Sequence, residues 1–238
     1  MSDAISLVIS GSWLSSFLGT NTWVVSSVAV ATWETIYMVG IATLLSYVFG
    51  LPLGVVLVTT DRGHILENQA VNKILGGIVN AVRSIPFIIF LILIIPLTRI
   101  IVGTYIGTAA SIVPLTLAAI PFVARLVETS FKEIEWGLIE AALSMGASPW
   151  QVICKVLLPE ARPSVILGVA ITTINLVGYS AMAGIVGGGG LGTLAYYHGY
   201  QRYEDVVMWP TVIVLIILVQ GVQMLGDGLA ARITDKRR

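Results

Sequence analysis

The sequence predicts an all-α integral membrane protein with five transmembrane helices and a two-helix cytoplasmic loop. Three observations carry this. Of the 238 residues, 56% are hydrophobic and 11% charged. The mean hydropathy of +0.92 is more than a water-soluble domain can hide. Five apolar runs reach the roughly 20 residues that a helix needs to cross hydrocarbon. Lys and Arg gather at one set of run ends.

The first run is 33–59, "WETIYMVGIATLLSYVFGLPLGVVLVT", with a kink expected at Gly50-Leu51-Pro52. The second is 74–102, with Pro86 and Pro96 inside it. The third is 109–127, interrupted by Pro114 and Pro121. The fourth is 163–186 and the fifth 206–226. Prolines are tolerated in such helices where neighbours re-satisfy the freed backbone groups. Residues 1–30 are moderately apolar and rich in Ser, Thr and Gly. They lack a basic start, so they read as an N-terminal interfacial segment, not a signal peptide.

Arg62, Lys73, Arg83, Arg125, Lys132, Lys155, Arg162, Arg232, Lys236, Arg237 and Arg238 fall at one set of ends; only Arg99 and Arg202 fall at the other. This places the first set in the cytoplasm, the N-terminus outside and the C-terminus inside. The stretch 128–162 is then the longest cytoplasmic connection. The lone Cys154 is reduced there and forms no intramolecular disulfide.

That stretch contains "EAALSMGASPWQVICKVLLPE", residues 140–160. A helix is expected over 132–145, with Gly146 just past its end. A second should start at Ser148 as N-cap, with Pro149 first and Gln151 completing a capping box. It should stop before Pro159. The small residues Ala141, Ala142, Ser144 and Ala147 alternate with Leu143, Met145 and Trp150. Such an ordered loop either packs back on its own bundle or receives a partner.

The spacing is Glu140-Ala141-Ala142, three residues, Gly146, nine residues, Val156, one residue, Leu158-Pro159. It resembles the EAA loop of ABC importer permeases. "RSIPFII" (83–89), "IPLTRIIVGTYIG" (95–107), "IVPLTLAAIPFVARLVE" (112–128) and "LVGYSAMAGIVGGGGLG" (176–192) are similar to the methionine-uptake branch of that family. The likeness covers residues 31–238, the expected permease domain. It implies that Glu140, Ala141, Ala142, Gly146, Leu158 and Pro159 belong to a coupling loop docked on a separate ATPase. It implies a homodimer, two ATPase copies on the cytoplasmic side and an external methionine-binding lipoprotein. It also implies a bacterial inner-membrane location and import of L-methionine, with D-methionine a candidate, by alternating access.

The fourth run is the most polar. Thr172, Asn175, Tyr179 and Met182 recur at helical spacing. They either line a pathway, with Met182 closing it at a dimer axis, or bridge and pack neighbouring helices. "GGGGLG" at 187–192 fits G-x-G-x-x-G but lacks the flanking strand and amphipathic helix, so a close turn is expected. Tyr196, Tyr197, Tyr200 and Arg202 suit an aromatic belt or an outer interface.

Arg83, Arg125 and Arg162 read as membrane-end anchors. Glu140 is expected to make an ionic or helix-terminus contact across the ATPase interface. His64 and His198 lack metal-ligand spacing, and no cofactor is expected. Zero net charge opposes nucleic-acid binding, whereas membrane lipid is the expected surrounding. Neither Lys73, Lys132, Lys155 nor Lys236 ends a phosphate loop, so the chain is not expected to be an enzyme. Two alternatives remain: the same machine for another amino acid, or a carrier needing no ATPase. Only Glu34 approaches a span interior, which weighs against a proton-coupled carrier.

Overall fold

The computed structural model describes residues 22–235. The elements are α1 (Thr22–Thr59), α2 (Gln69–Arg83), α3 (Phe87–Val102), α4 (Thr108–Lys132), α5 (Trp136–Ser144), α6 (Pro149–Val152), α7 (Arg162–Ala183), α8 (Gly190–Leu194) and α9 (Asp205–Asp235). No strand occurs among the described residues. α1, α4, α7 (with its extension to Val186) and α9 are long and apolar enough to cross a membrane; α2 and α3 form a bent pair that is long and apolar enough only when the two are taken together, giving four to five candidate spans.

α1 begins at Thr22, well before the expected Trp33. Residues 22–30 are therefore helical and continuous with the first span, while 1–21 lie outside the described residues. Ser26 within that segment, and Thr32 and Thr35 just beyond it, bond back along the helix. Ser26 donates to the Trp23 carbonyl at 2.9 Å, Thr32 to Val28 at 2.6 Å and Thr35 to Ala31 at 2.9 Å. A hydroxyl paired with its own helix no longer resists an apolar setting. Val24, Val28 and Ala31 pack with Leu191 and Val207.

The second run is not one continuous helix. α2 and α3 meet at 107° across residues 84–86. Pro86 has no N–H to donate and drives Ile85 out of helical geometry. Ser84 closes α2 by donating its hydroxyl to the Asn80 carbonyl at 2.8 Å. Pro52, Pro96, Pro114, Pro121 and Pro210 all lie inside helices that continue through them.

α1 and α4 form the most extensive helix pair. Gly50 and Gly54 make this possible. A Cβ on Gly50 would meet Val123 at 2.8 Å, and one on Gly54 would meet the Ala124 carbonyl at 2.7 Å. Small residues four apart allow two backbones to approach this closely in lipid. The central core joins Met38 and Ala42 of α1, Phe87 and Leu91 of α3, Leu115 and Ala119 of α4, and Leu176 of α7. Outward faces remain apolar, with Trp33, Leu44, Ile100, Ile216 and Leu225 exposed, as suits a hydrocarbon solvent.

Candidate functional site

The 133–161 connection is built as a rigid double cap. α5 begins at Trp136, not Lys132, because α4 runs on to Lys132. At its end Gly146 has φ +82°, the left-handed region. Gly146 N–H donates to the Leu143 carbonyl at 2.9 Å, and Ala147 N–H to Ala142 at 3.0 Å. This paired pattern satisfies carbonyls that the last helical turn leaves free. The predicted capping box follows. Ser148 N–H donates to Gln151 Oε1 at 2.9 Å, and Gln151 N–H to Ser148 Oγ at 3.4 Å.

The second helix does not end before Pro159. It widens into a π-helical turn, Ile153–Leu157, and closes over Leu158–Glu160. Leu158 N–H reaches the Ile153 carbonyl, five residues back. A wider turn removes the clash that a proline ring makes with the carbonyl four residues earlier.

One side of this loop is anchored. Ile139, Ala142, Val152, Ile153 and Leu157 bury against Val58 of α1 and Val123, Val127 and Phe131 of α4. Ala142 thus faces the bundle instead of the surface expected for it, and Leu158 and Pro159 are half-buried. The other side is open. Glu140, Ala141, Leu143 and Gly146 are exposed, and Met145 and Trp150 are 82% and 71% exposed. No described residue pairs with Glu140. Between α5 and α6 lies a 420 Å³ cleft lined by Ala142, Met145, Gly146, Ala147, Gln151 and Lys155.

A charged network underlies the anchored side. Glu128, 6% exposed, pairs with Arg125 and, at 2.9 Å, with Lys132. Lys132 also reaches Asp61 at 2.8 Å. Arg125 donates to Asn80 Oδ1 at 3.0 Å and the Gly76 carbonyl at 3.3 Å. The Lys132 hydrogen bond, helped by the Arg62 N–H, holds the Asp61 carboxyl below its ordinary range. Arg125 is therefore a tie between α4 and α2, not the simple anchor its position suggested. Sequence spacing shows Arg125–Glu128–Lys132 on one helical face. It cannot show Asp61 or Asn80 arriving from elsewhere.

The four polar positions of α7 do not share one environment. Thr172 is buried and donates to the Gly168 carbonyl at 2.8 Å. Asn175 is exposed, and Met182 is 44% exposed. Tyr179 is half-buried and stacks on Phe87, ring centres 4.4 Å apart and 2° from parallel.

At the opposite end the glycine run makes the expected close turn. Gly187, Gly189 and Gly190 have positive φ. A Cβ on Gly184 would lie 2.3 Å from the Gly192–Thr193 backbone. Glu34 Oε2 accepts from Gly190 N–H at 2.6 Å, and Thr35 Oγ1 from Leu191 N–H at 2.9 Å. Glu34, the acid that the sequence set nearest a span interior, thus caps this turn. No group of His, Cys, Asp or Glu suited to a metal occurs among the described residues.

The family model of the binding-protein-dependent transport system inner membrane component matches residues 50–238. The chain belongs to that family. This inner membrane component is similar to the probable D-methionine transport system permease protein MetI of Vibrio cholerae. The two are 55% identical over 206 residues, covering 87% of this chain and 92% of the relative. The methionine import system permease protein MetP of Bacillus subtilis is 44% identical over 207 residues, 87% of this chain and 93% of the relative. Among solved structures, an inward-facing MetNI methionine ABC transporter chain matches with TM-score 0.87 and 47% identity. That match covers 88% of this chain and 97% of the other. A multi-pass inner-membrane permease component, as the sequence predicted, is what this chain is.

Proposed function

We propose that this permease is the membrane half of an ATP-driven methionine importer. Two copies form the route, each docked on an ATPase subunit through residues 140–159, and an external binding protein delivers the solute. The N-terminus lies outside and the loop in the cytoplasm. The observation that carries the ATPase assignment is the loop itself: one face locked into the bundle, the other open beside a cleft. Glu140, Ala141 and Gly146 form the docking face with Met145 and Trp150, while Ala142, Leu158 and Pro159 hold its inner side. The methionine assignment is supported by the names of the relatives.

The anchoring explains how force is passed on. A push on α5 and α6 reaches α1 and α4 through Ile139, Val152 and Leu157. ATP-driven closure of the ATPases favours one packing of these helices and so switches access. On α7, Asn175 and Met182 present the route-facing side, with Met182 narrowing it where two copies meet. Tyr179 and Thr172 fix that helix.

The test is labelled L-methionine uptake into proteoliposomes containing the permease, its ATPase and its binding protein. ATP-dependent uptake displaced best by methionine is expected. Uptake displaced better by another amino acid would overturn the substrate. Uptake that follows an ion gradient and ignores ATP would overturn the machine.

A further inference from the structure

The break between α2 and α3 sets a cation beside side chains of three helices. Along α2, Gly76 and Asn80 stand level with Arg125 of α4. The next turn brings Arg83, itself exposed, to a cavity that Ala118 and Phe122 of α4 also line. Among the described residues Arg83 has no ion pair. A guanidinium with an open side and no ion pair is free to take an anionic ligand. In transporters, the interruption of a broken helix opens a site beside it.

Arg83 borders a partly open cavity of 230 Å³, lined also by Phe87 and Phe90 of α3, Ala118 and Phe122 of α4, and Tyr179 of α7. Pockets for drug-sized ligands begin at about 300 Å³, so this one suits something smaller. Its chemistry is divided: one cationic fork, then several aromatic faces. A guanidinium binds a carboxylate through two parallel hydrogen bonds. A thioether makes favourable contacts with aromatic rings and bends to fit irregular space. Phe87, Phe90, Ala118 and Tyr179 also come from three separate spans, so an occupant would touch α3, α4 and α7 together.

We propose that this cavity is a solute site within the permease, holding an amino acid with an apolar thioether side chain. Arg83 takes the α-carboxylate, and Phe87, Phe90, Phe122 and Tyr179 enclose the side chain. The site rests on the methionine-import reading and places recognition in this chain as well as in the binding protein. Arg83 is then a specificity residue, not an anchor.

The test uses the full permease–ATPase complex in proteoliposomes. Ala118→Cys in a Cys154→Ser background puts one thiol in the cavity wall, and a small methanethiosulfonate reagent reports its accessibility. L-methionine at about ten times its Kd should slow labelling about tenfold, as the occupied fraction requires. The decarboxylated analogue of methionine should not protect. Arg83→Gln should abolish protection and Arg83→Lys retain part of it, with ATP hydrolysis by each complex confirming assembly. Protection that survives Arg83→Gln would overturn the carboxylate assignment. Labelling indifferent to methionine, in complexes whose unsubstituted parent still imports it, would overturn the site and leave the import reading standing. Loss of ATP-driven methionine uptake by the parent itself would remove the import reading and this ligand with it.

Discussion

Gly146 separates docking from folding. Its φ of +82° is left-handed, and a Cβ there would meet nothing within 4 Å. A side chain at this position therefore strains the backbone but grows into open space. Left-handed geometry costs a residue with a Cβ about 1–2 kcal/mol, and asparagine less. That cost falls on a local turn and lowers its ordered fraction by roughly 5–30-fold. Contact adds a second, size-dependent loss. Forcing extra volume into a packed interface costs about 1–3 kcal/mol, roughly 5–150-fold in affinity. Titrating ATPase onto the reconstituted permease should then rank the variants by bulk. Gly146→Ala should weaken binding least and Gly146→Trp most. Gly146→Asn should lie between them despite its smaller backbone strain. If strain alone mattered, asparagine would bind more tightly than alanine. Native affinity and native coupling in Gly146→Trp would refute the docking face.

Other outcomes follow from the packing. Gly54→Leu drives a side chain into the Ala124 carbonyl and Val127 and should cost about 1–3 kcal/mol or more; a detergent-solubilised Tm close to the parent's would contradict the α1–α4 contact. Glu128→Gln removes the shared partner of Arg125 and Lys132. It should cost about 2 kcal/mol, and Lys132→Met should add less to it than it costs in the parent, its Asp61 contact aside; full additivity would deny the network. His64 is half-buried with Nδ1 unbonded and packs edge-on to Trp136. Burial lowers its pKa; Lys132 also lowers it, and Asp61 acts the other way. Its neutral ring thus contributes stability above about pH 6.5, lost as pH falls through the lowered folded-state value. Tm should drop between about pH 7.5 and about pH 5.5, and His64→Phe should remove part of that drop. An equal drop in the variant would exclude the histidine.

Much of this architecture was readable because each signal was local. Apolar length located the spans. Ser148, Pro149 and Gln151 specified a helix start, and Gly146 specified a stop. What escaped depended on partners distant in sequence. Thr172 and Asn175 share a helical spacing, but only the packing of α7 shows that one turns inward and the other out. Ala142 belongs to the family-like motif, yet Ile139 and Val152 draw it into the core. Arg83 is exposed, as a membrane-end anchor would be, and the turn at Ser84, Ile85 and Pro86 sets it beside Ala118, Phe122 and Tyr179, which come from distant stretches of sequence.

The same turn has a consequence for synthesis. At 1.5 Å per residue, α2 and α3 are about 22 and 24 Å long, each short of a hydrocarbon layer about 30 Å thick. Neither half is a complete insertion signal by itself, and α2 carries Asn72, Lys73, Asn80 and Arg83. Asn72 is met by the Leu57 carbonyl at the end of α1, but Asn80 gains its partner only when α4 arrives with Arg125. The bilayer should thus accept this hairpin late, as a helix assembly and not as a single hydrophobic segment. Nascent chains ending before residue 108 should leave 69–83 open to water-soluble thiol reagents at an introduced cysteine. Chains reaching past 132 should shield it. Early shielding would mean that α2 enters without its partner.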